Sequence, residues 1–459
     1  MRQKTRQLAF DWGVAGEAQP DSGKGSTPPS MPDRSGALAQ ALMEEVVSGS
    51  NLRKALRQVR ANKGSPGVDG MTVKELSGYL QGEWPRLKQE LLHGTYRPQP
   101  VKWVEIPEPD GGRRQLGIPT VADRFIQQAL LQVLEPKYDS TFSPFSYGFR
   151  PGKSAHKALA QAKVYVESGY GWVVDLDLEK FFDRVNHDLL MGRLAKRIGD
   201  KRVLRLIRRY LEAGVLLNGV VVERWEGTPQ GGPLSPLLAN ILLDELDREL
   251  TRRGHRFVRY ADDCNIYIRS ERAGERVKES ITRFLERKLR LKVNQEKSGV
   301  ARPYERTFLG FRIRGRDEVR LSIAPESLQR AKATIRRITK RNRGVSLGQV
   351  LSELRTFTDG WVGYFWPAQT PSVFQDVDKW IRRRLRCYQW KLWKGPKKRA
   401  RELSKAGIGP WLAWGTAYDG PGLWRAAGSP ALNLALPNAK LTALGFHSLH
   451  KRYEALAAP

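Results

Sequence analysis

Apolar positions along the chain recur at two spacings, and the switches between them mark out its elements. From Ala37 past Val59 they return every three to four residues, the period of a helix buried on one face, with a break at Ser48-Gly49-Ser50. Lys63-Gly64-Ser65-Pro66-Gly67-Val68-Asp69-Gly70 is turn chemistry and reads as a loop. Val101–Pro107 and Gln115–Pro119 read as two strands joined by a turn over Pro109–Gly112. Helical periodicity returns over Asp123–Leu134. Trp172–Asp177 is mostly apolar with little alternation, which suits a buried strand. Helices are expected at 187–196, 200–213, 233–253 and 272–290, and three more at 325–343, 347–366 and 373–394. Residues 256–268 stand apart. Phe257, Val258 and Tyr260 precede Asp262-Asp263, and Ile266, Tyr267 and Ile268 follow, so two strand-like runs meet at a pair of acids.

Composition narrows the class. At 459 residues two or three domains are expected, and 40% hydrophobic content supports packed cores. Residues 13–36 are rich in Gly, Ser and Pro, so 1–36 reads as a flexible arm. The 79 Lys and Arg against 48 Asp and Glu leave a net charge of +31, which points to a polyanion, nucleic acid foremost. A ribosome-associated protein or a membrane surface would also suit that charge. No apolar run approaches the ~18–20 residues that span a bilayer. Met1–Phe10 is basic but lacks the apolar stretch of a secretory signal. Two cysteines, Cys264 and Cys387, provide neither a disulfide framework nor a thiolate zinc site, and fit a reducing compartment. Between Asp378 and Lys405 twelve Lys and Arg face two acids, with Trp380, Tyr388, Trp390, Trp393 and Trp411 in or beside the run. A solvated charged face with ordinary core tryptophans is one reading. Basic and aromatic residues interleaved on short helices favour a nucleic-acid surface.

The chemistry gathers around the acids. A tight turn would raise Asp262 and Asp263 to a hairpin tip, where two carboxylates repel each other unless a cation lies between them. Paired divalent metals on such carboxylates serve in-line phosphoryl transfer, although Asp-Asp in a turn is also a common solvated feature. Val173-Val174-Asp175-Leu176-Asp177 can deliver a further carboxylate, Asp177, from a neighbouring strand, with the Leu178 carbonyl as a neutral oxygen donor. Asp175, Asp177 and Asp183 could instead cap or flank the next helix. Gly227-Thr228-Pro229-Gln230-Gly231-Gly232-Pro233-Leu234-Ser235-Pro236 combines backbone freedom with an amide that can donate and accept.

Together and in this order, these residues resemble the group II intron reverse transcriptase/maturases. The resemblance runs from about residue 40 and takes in the 64–70 loop, Leu116–Pro119, Ser146–Pro151, Asp177–Asp183, Gly227–Pro236, Tyr260–Asp263, Asn294–Lys297 and Phe308–Phe311. It continues through Gly360–Phe365 and Trp380–Leu385 in the maturase region. It implies an α+β right-hand polymerase: fingers and palm with an antiparallel palm sheet, then an α-helical thumb/maturase domain and a small C-terminal DNA-binding segment. The implied divisions are an arm (1–36), an N-terminal extension with the template lid (37–100), fingers and palm (101–315), thumb and maturase (316–400) and the DNA-binding segment (401–459).

The same resemblance implies roles. Asp177, Asp262 and Asp263 would be the catalytic acids and, with the Leu178 carbonyl, hold two Mg²⁺ ions. Phe182 would exclude a ribose 2′-OH and so select dNTPs, and Gln230 would lie near the nascent pair. Arg114 and Lys297 would face the triphosphate, with Lys297 placed to protonate the pyrophosphate. Phe308, Leu309 and Gly310 would grip the primer, and the loop from Gly64 would cover the template. Glu108 departs from the pattern, standing where Lys is usual; if that Lys helps to bind triphosphate, Arg113, Arg114 or Lys102 must compensate. With no cysteine after Cys387, an endonuclease of the Cys-x-x-Cys type is not expected. The implied function is RNA-directed DNA polymerisation with binding and assisted splicing of the parent intron RNA. The partners would be that RNA, primer–template, target DNA and dNTPs, with no membrane, in a bacterial cytoplasm at the nucleoid. A splicing-only maturase, or a domesticated enzyme of DNA repair or phage defence, would be the alternatives.

Overall fold

Pairing partners, rather than local propensity, decide what the strand-like runs become. The computed structural model describes residues 41–107, 113–217, 220–222, 226–228, 231–315, 318–418 and 422–458. Its strands are β1 (Val101–Pro107), β2 (Arg113–Ile118), β3 (Trp172–Leu176), β4 (Val215–Leu217), β5 (Val220–Val222), β6 (Arg256–Tyr260), β7 (Asp263–Ile268), β8 (Gly299–Ala301), β9 (Phe311–Arg314) and β10 (Arg320–Ile323). The arm at 1–36, Glu108 and the turn at 109–112 lie outside the described residues, as does Gln230.

One sheet has the order β6-β7-β3-β8 and is antiparallel throughout, which is the palm sheet expected. Trp172 pairs with Ile268, Val174 with Ile266 and Leu176 with Cys264. Because side chains alternate across a sheet, Val174, Leu176, Phe257, Cys264 and Ile266 share one face, where they join the main hydrophobic core. The helices Ser235–Arg252 and Glu271–Phe284 pack against this sheet. Asp175 pairs with Asn265 and so faces the other way. A second sheet has the order β2-β1-β4-β5, with β1 parallel to β4 through Val101–Val215 and Lys102–Leu216.

Helix starts follow local chemistry. Thr120, Asn186, Asp200, Ser270 and Ser346 each accept a hydrogen bond from a first-turn N–H, the role for which short polar side chains are preferred. Among the described residues, the helices Leu76–His93 and Ala155–Glu167 were not foreseen, nor were the short ones between Pro396 and Ala457. The expected 272–290 helix keeps α geometry only to Phe284, widens over Leu285–Leu289 and stops at Arg290 in the left-handed region.

The chain divides into two compact units. One comprises residues up to Tyr165 together with Tyr170–Ala301; the other comprises Val166–Gly169 and Arg302–Pro459. The sequence placed a boundary at 315/316. The second unit pairs β9 with β10 and is otherwise helical, with Pro325–Ile338, Leu347–Phe365 and Pro371–Leu392 followed by short helices to Ala457. Buried Asp378 ties its end together by accepting from the N–H groups of Leu449 (2.9 Å) and His450 (3.2 Å) and from the Ser448 hydroxyl. Tyr388, Trp390 and Trp393 are buried, not surface groups. The apolar sides of the helices from Pro396 to Ala435 cover Trp390 and Trp393, so for these residues ordinary packing replaces the expected nucleic-acid role. Trp411, by contrast, is 89% exposed. Among the described residues no helix is long and apolar enough to cross a membrane.

Candidate active site

The acids meet because the register of one strand pair brings them together. Tyr260 pairs with Asp263, leaving Ala261 and Asp262 as a two-residue turn. Ala261 has φ 57° while Asp262 is not in the left-handed region, the pattern of a type II′ turn whose first central residue is ordinarily glycine. An alanine there is strained and must be held by its surroundings. Leu176 pairs with Cys264 as the last pair of this ladder, so Asp177 follows directly at its end, near enough to Asp263 to act on it electrostatically. Asp175, Asp177 and Asp263 therefore occupy one face, away from the core.

Asp177 is held by its backbone. Its N–H donates to Ser298 Oγ at 2.9 Å, and its carbonyl accepts from the N–H of Asn294 at 2.9 Å. Asn294 Oδ1 in turn accepts from the N–H groups of Glu296 and Lys297, both at 3.2 Å. That local turn brings Lys297 close enough to act electrostatically on Asp177. Burial raises the Asp177 carboxyl, Lys297 draws it down, Asp262 pushes it up, and the net direction is upward. Burial, then the charges of Asp262, Asp175 and Asp177, push Asp263 up to about 7. Asp263 keeps an exposed surface, so water screens part of that effect. Acids that raise one another store repulsion that a hard cation would relieve, and every donor present is oxygen. Among the described residues no three His, Cys, Asp or Glu side chains form a finished metal cage.

Phe182 lies in a short 3₁₀ turn, Phe181–Asp183, beyond the strand, buried and edge-on to Phe181 at 5.2 Å. Its carbonyl accepts from the N–H of Thr228 at 2.6 Å, and the N–H of Gly227 donates to Val185 at 2.8 Å. Gly227, at φ 91°, leaves no room for a Cβ, which would lie 2.9 Å from the Asp183 carbonyl. Gly227 and Thr228 are thus locked to the turn that carries Phe182. Buried His187 bonds through Nε2 to the Gly227 carbonyl at 2.7 Å, and burial lowers its pKa from the ordinary 6.5. The unfolded chain then binds the extra proton as pH falls through 6.5, so this contribution to stability is present above 6.5 and is lost on acidification toward the lower folded value. Thermal unfolding of wild type and His187→Gln between pH 7.5 and 5.5 should show a shallower acid loss in the variant. Parallel curves would remove His187 as the source.

The remaining expected residues are dispersed. Arg114 lies in β2 opposite Ile106, with its side chain outside the description. Gly64 opens a loop pinned by Arg124, whose guanidinium donates to the Ser65 carbonyl at 2.7 Å. Leu178 is buried and bridges Val293. Phe308, Leu309 and Gly310 belong to the second unit, where Phe308 bridges Phe311 and the Tyr364 hydroxyl donates to the Leu309 carbonyl at 2.9 Å. Residues behind the turn had been given no role from the sequence: Arg259, Asp247 and Asn240, with Ser146 and Gly148 of the Ser146–Pro151 stretch, all linked beneath Ala261. The available signal was an arginine within the apolar run Phe257–Tyr260, on the parity of Phe257.

Comparison with known proteins finds two consecutive matches. Residues 106–313 match the family described as Reverse transcriptase (RNA-dependent DNA polymerase), and residues 328–407 match Group II intron, maturase-specific domain. Protein YkfC of Escherichia coli (strain K12) is 34% identical over 315 residues, covering 60% of this chain and 83% of that protein. Group II intron-encoded protein LtrA of Lactococcus lactis subsp. cremoris is 30% identical over 328 residues, 57% of this chain and 54% of that protein. The chain thus aligns with about half the length of LtrA. Of solved structures, the partial Cas6-RT-Cas1–Cas2 complex aligns at 26% identity and TM-score 0.35, covering 54% of this chain and 42% of that one. A polymerase domain followed by a maturase-specific domain is the arrangement of one family, and the chain belongs to it: the group II intron-encoded reverse transcriptase/maturases, which polymerise DNA on RNA and assist intron splicing.

Proposed function

We propose that this chain extends a DNA primer on an RNA template with dNTPs, using Asp177, Asp262 and Asp263 to hold two Mg²⁺ ions. One observation supports the reading: Asp177 directly follows the last β3–β7 pair, Leu176–Cys264, and lies close enough to the hairpin tip that Asp262 raises it and both raise Asp263. Reverse transcriptases as a family use divalent metal ions; bound here, such ions would stabilise the attacking and leaving oxygens of in-line displacement. The Leu178 carbonyl would add a neutral oxygen. Lys297, placed by the Asn294 turn, neutralises charge beside Asp177 and is the candidate proton donor to pyrophosphate. Arg114 contacts triphosphate and Gln230 the nascent pair. The loop from Gly64 lies over the template, and Phe308, Leu309 and Gly310 grip the primer.

The polyanion partners in this reading are the intron RNA and target DNA, engaged by the thumb and maturase region (316–400) and by 401–459. Trp411, Trp414 and Tyr418 are exposed, the last two stacked at 5.5 Å. Lys397, Lys398 and Arg401 line one hollow with Trp414. Flat rings beside cations suit stacked bases and a phosphate backbone. Both cysteines are free and buried, which suits a reducing bacterial cytoplasm.

Primer extension on an RNA template in Mg²⁺ tests the polymerase reading, with Asp262→Ala as control. DNA synthesis absent from the wild type, with intron RNA still bound, would favour a splicing-only maturase. Phe182→Ala should raise ribonucleotide incorporation relative to dNTPs by roughly 10–100-fold, the discrimination that one pocket contact supplies. Competition between dNTP and rNTP in single-nucleotide extension reads this ratio; an unchanged ratio removes Phe182 as the sugar gate.

A further inference from the structure

Arg259 is fully buried, and its five N–H donors are all in use. Nε and one Nη2 hydrogen go to Asp247 at 2.7 and 2.6 Å, and the second Nη2 hydrogen goes to Ser146 Oγ at 2.8 Å. The Nη1 hydrogens go to Asn240 Oδ1 at 3.0 Å and to the carbonyl of Ala261 at 2.8 Å. Asp247, Asn240 and Ser146 are buried with it. Only a guanidinium can serve five acceptors in one plane; an ammonium has three donors and no fixed fork.

The last of those acceptors matters most. The Ala261 carbonyl belongs to the peptide from which Asp262 springs, and Ala261 is the residue held at φ 57°. The other side of that turn is closed by Gly148, where an added Cβ would lie 2.3 Å from the Ala261 nitrogen. Gly148 is itself fixed, its carbonyl accepting from Asn240 Nδ2 at 2.9 Å. Backbone bonds complete the clamp, from Arg259 N–H to Phe145 (3.0 Å) and from Tyr147 N–H to Arg259 (2.8 Å). Register puts Arg259 opposite Cys264 on the core face, directly behind the carboxylates.

We propose that Arg259 is a positioning residue for the metal site. By holding the Ala261 carbonyl against the backbone of Gly148, it fixes the peptide that orients Asp262 and Asp263, and so sets the affinity of the site for divalent ions. The inference rests on the reading of Asp262 as a metal ligand. A buried ion pair that only stabilised the fold would have no reason to affect metal affinity in a folded variant.

The test uses the full chain with primer–template, Mn²⁺ binding followed by electron paramagnetic resonance, and circular dichroism to follow folding. Wild type should bind Mn²⁺ and Asp262→Ala should bind it far less; otherwise the metal reading itself fails, independently of Arg259. Arg259→Lys keeps a cation for Asp247 but cannot serve the turn as well, and should weaken Mn²⁺ binding about 10–100-fold, the usual effect of losing a group that orients a ligand. Gly148→Ala leaves the ion pair whole, presses on the turn and should weaken binding similarly; it decides the matter if Arg259→Lys does not fold. Ala261→Gly in the Arg259→Lys background removes the need to hold a strained turn and should recover most of the affinity. Wild-type Mn²⁺ affinity in folded Arg259→Lys or Gly148→Ala overturns the proposal. So does a double variant as weak as Arg259→Lys alone.

Discussion

Asp262→Ala should extend a DNA primer on an RNA template at least about a thousandfold more slowly than wild type, while remaining folded and bound to RNA. The size follows from charge: a ligated divalent ion supplies several kcal/mol of transition-state stabilisation, and ~4 kcal/mol is about three powers of ten in rate. The retained fold follows from position. Asp262 occupies the hairpin tip, outside the core strands, and its charge raises both Asp177 and Asp263. Its removal relieves that repulsion, so the melting temperature should hold or rise slightly. Single-turnover extension, thermal melting and RNA affinity measured on one preparation separate these effects. A rate within tenfold of wild type would remove Asp262 from the catalytic set, whatever the other readouts give.

RNA binding should fall by about 10³-fold or more between 50 and 200 mM salt, because each neutralised phosphate releases counterions. The chain carries a net charge of +31, and its second unit presents cations beside exposed rings, such as Arg383, Arg425, Trp411 and Tyr418 around one open groove. Stacking resists salt where ion pairing does not, so alanine at Trp411 should lower affinity with little change in slope. Charge reversal at Lys397 and Lys398 should flatten the slope. Titration of a structured group II intron RNA at four salt concentrations measures both. Less than a tenfold change over that range would mean that the positive charge serves something other than a phosphate backbone.

The hairpin was legible because two acids interrupt an otherwise apolar run, a pattern with few structural outlets. Asp177 was legible as the polar end of a buried strand. The helices at 187–196, 200–213 and 233–253 were expected within a few residues of their observed ends. Other features depend on partners distant in sequence. Val215–Leu217 becomes a strand through pairing with Val101 and Lys102, which no local window contains. Leu76–His93 carries Pro85, Gly78 and Gly82, which obscure the stripe of Leu76, Leu80, Trp84, Leu87 and Leu91 that is buried. Tyr388, Trp390 and Trp393 looked like nucleic-acid contacts because composition does not reveal which face later helices cover. Arg259 was missed for a related reason. An arginine is expected at the surface, and its acceptors come from three separate stretches of chain: Ser146, the Asn240–Asp247 helix and the turn itself.

The β3–β7 pairing leaves little freedom for insertion or deletion. Asp175 and Asp177 alternate with Val174 and Leu176, so losing one residue within Trp172–Leu176 would point the acids into the core and the aliphatic residues into solvent. Such a chain would forfeit its packing together with its carboxylates. Sequence drift can therefore exchange side chains along this strand, whereas its length is fixed by the fold and by the chemistry at once.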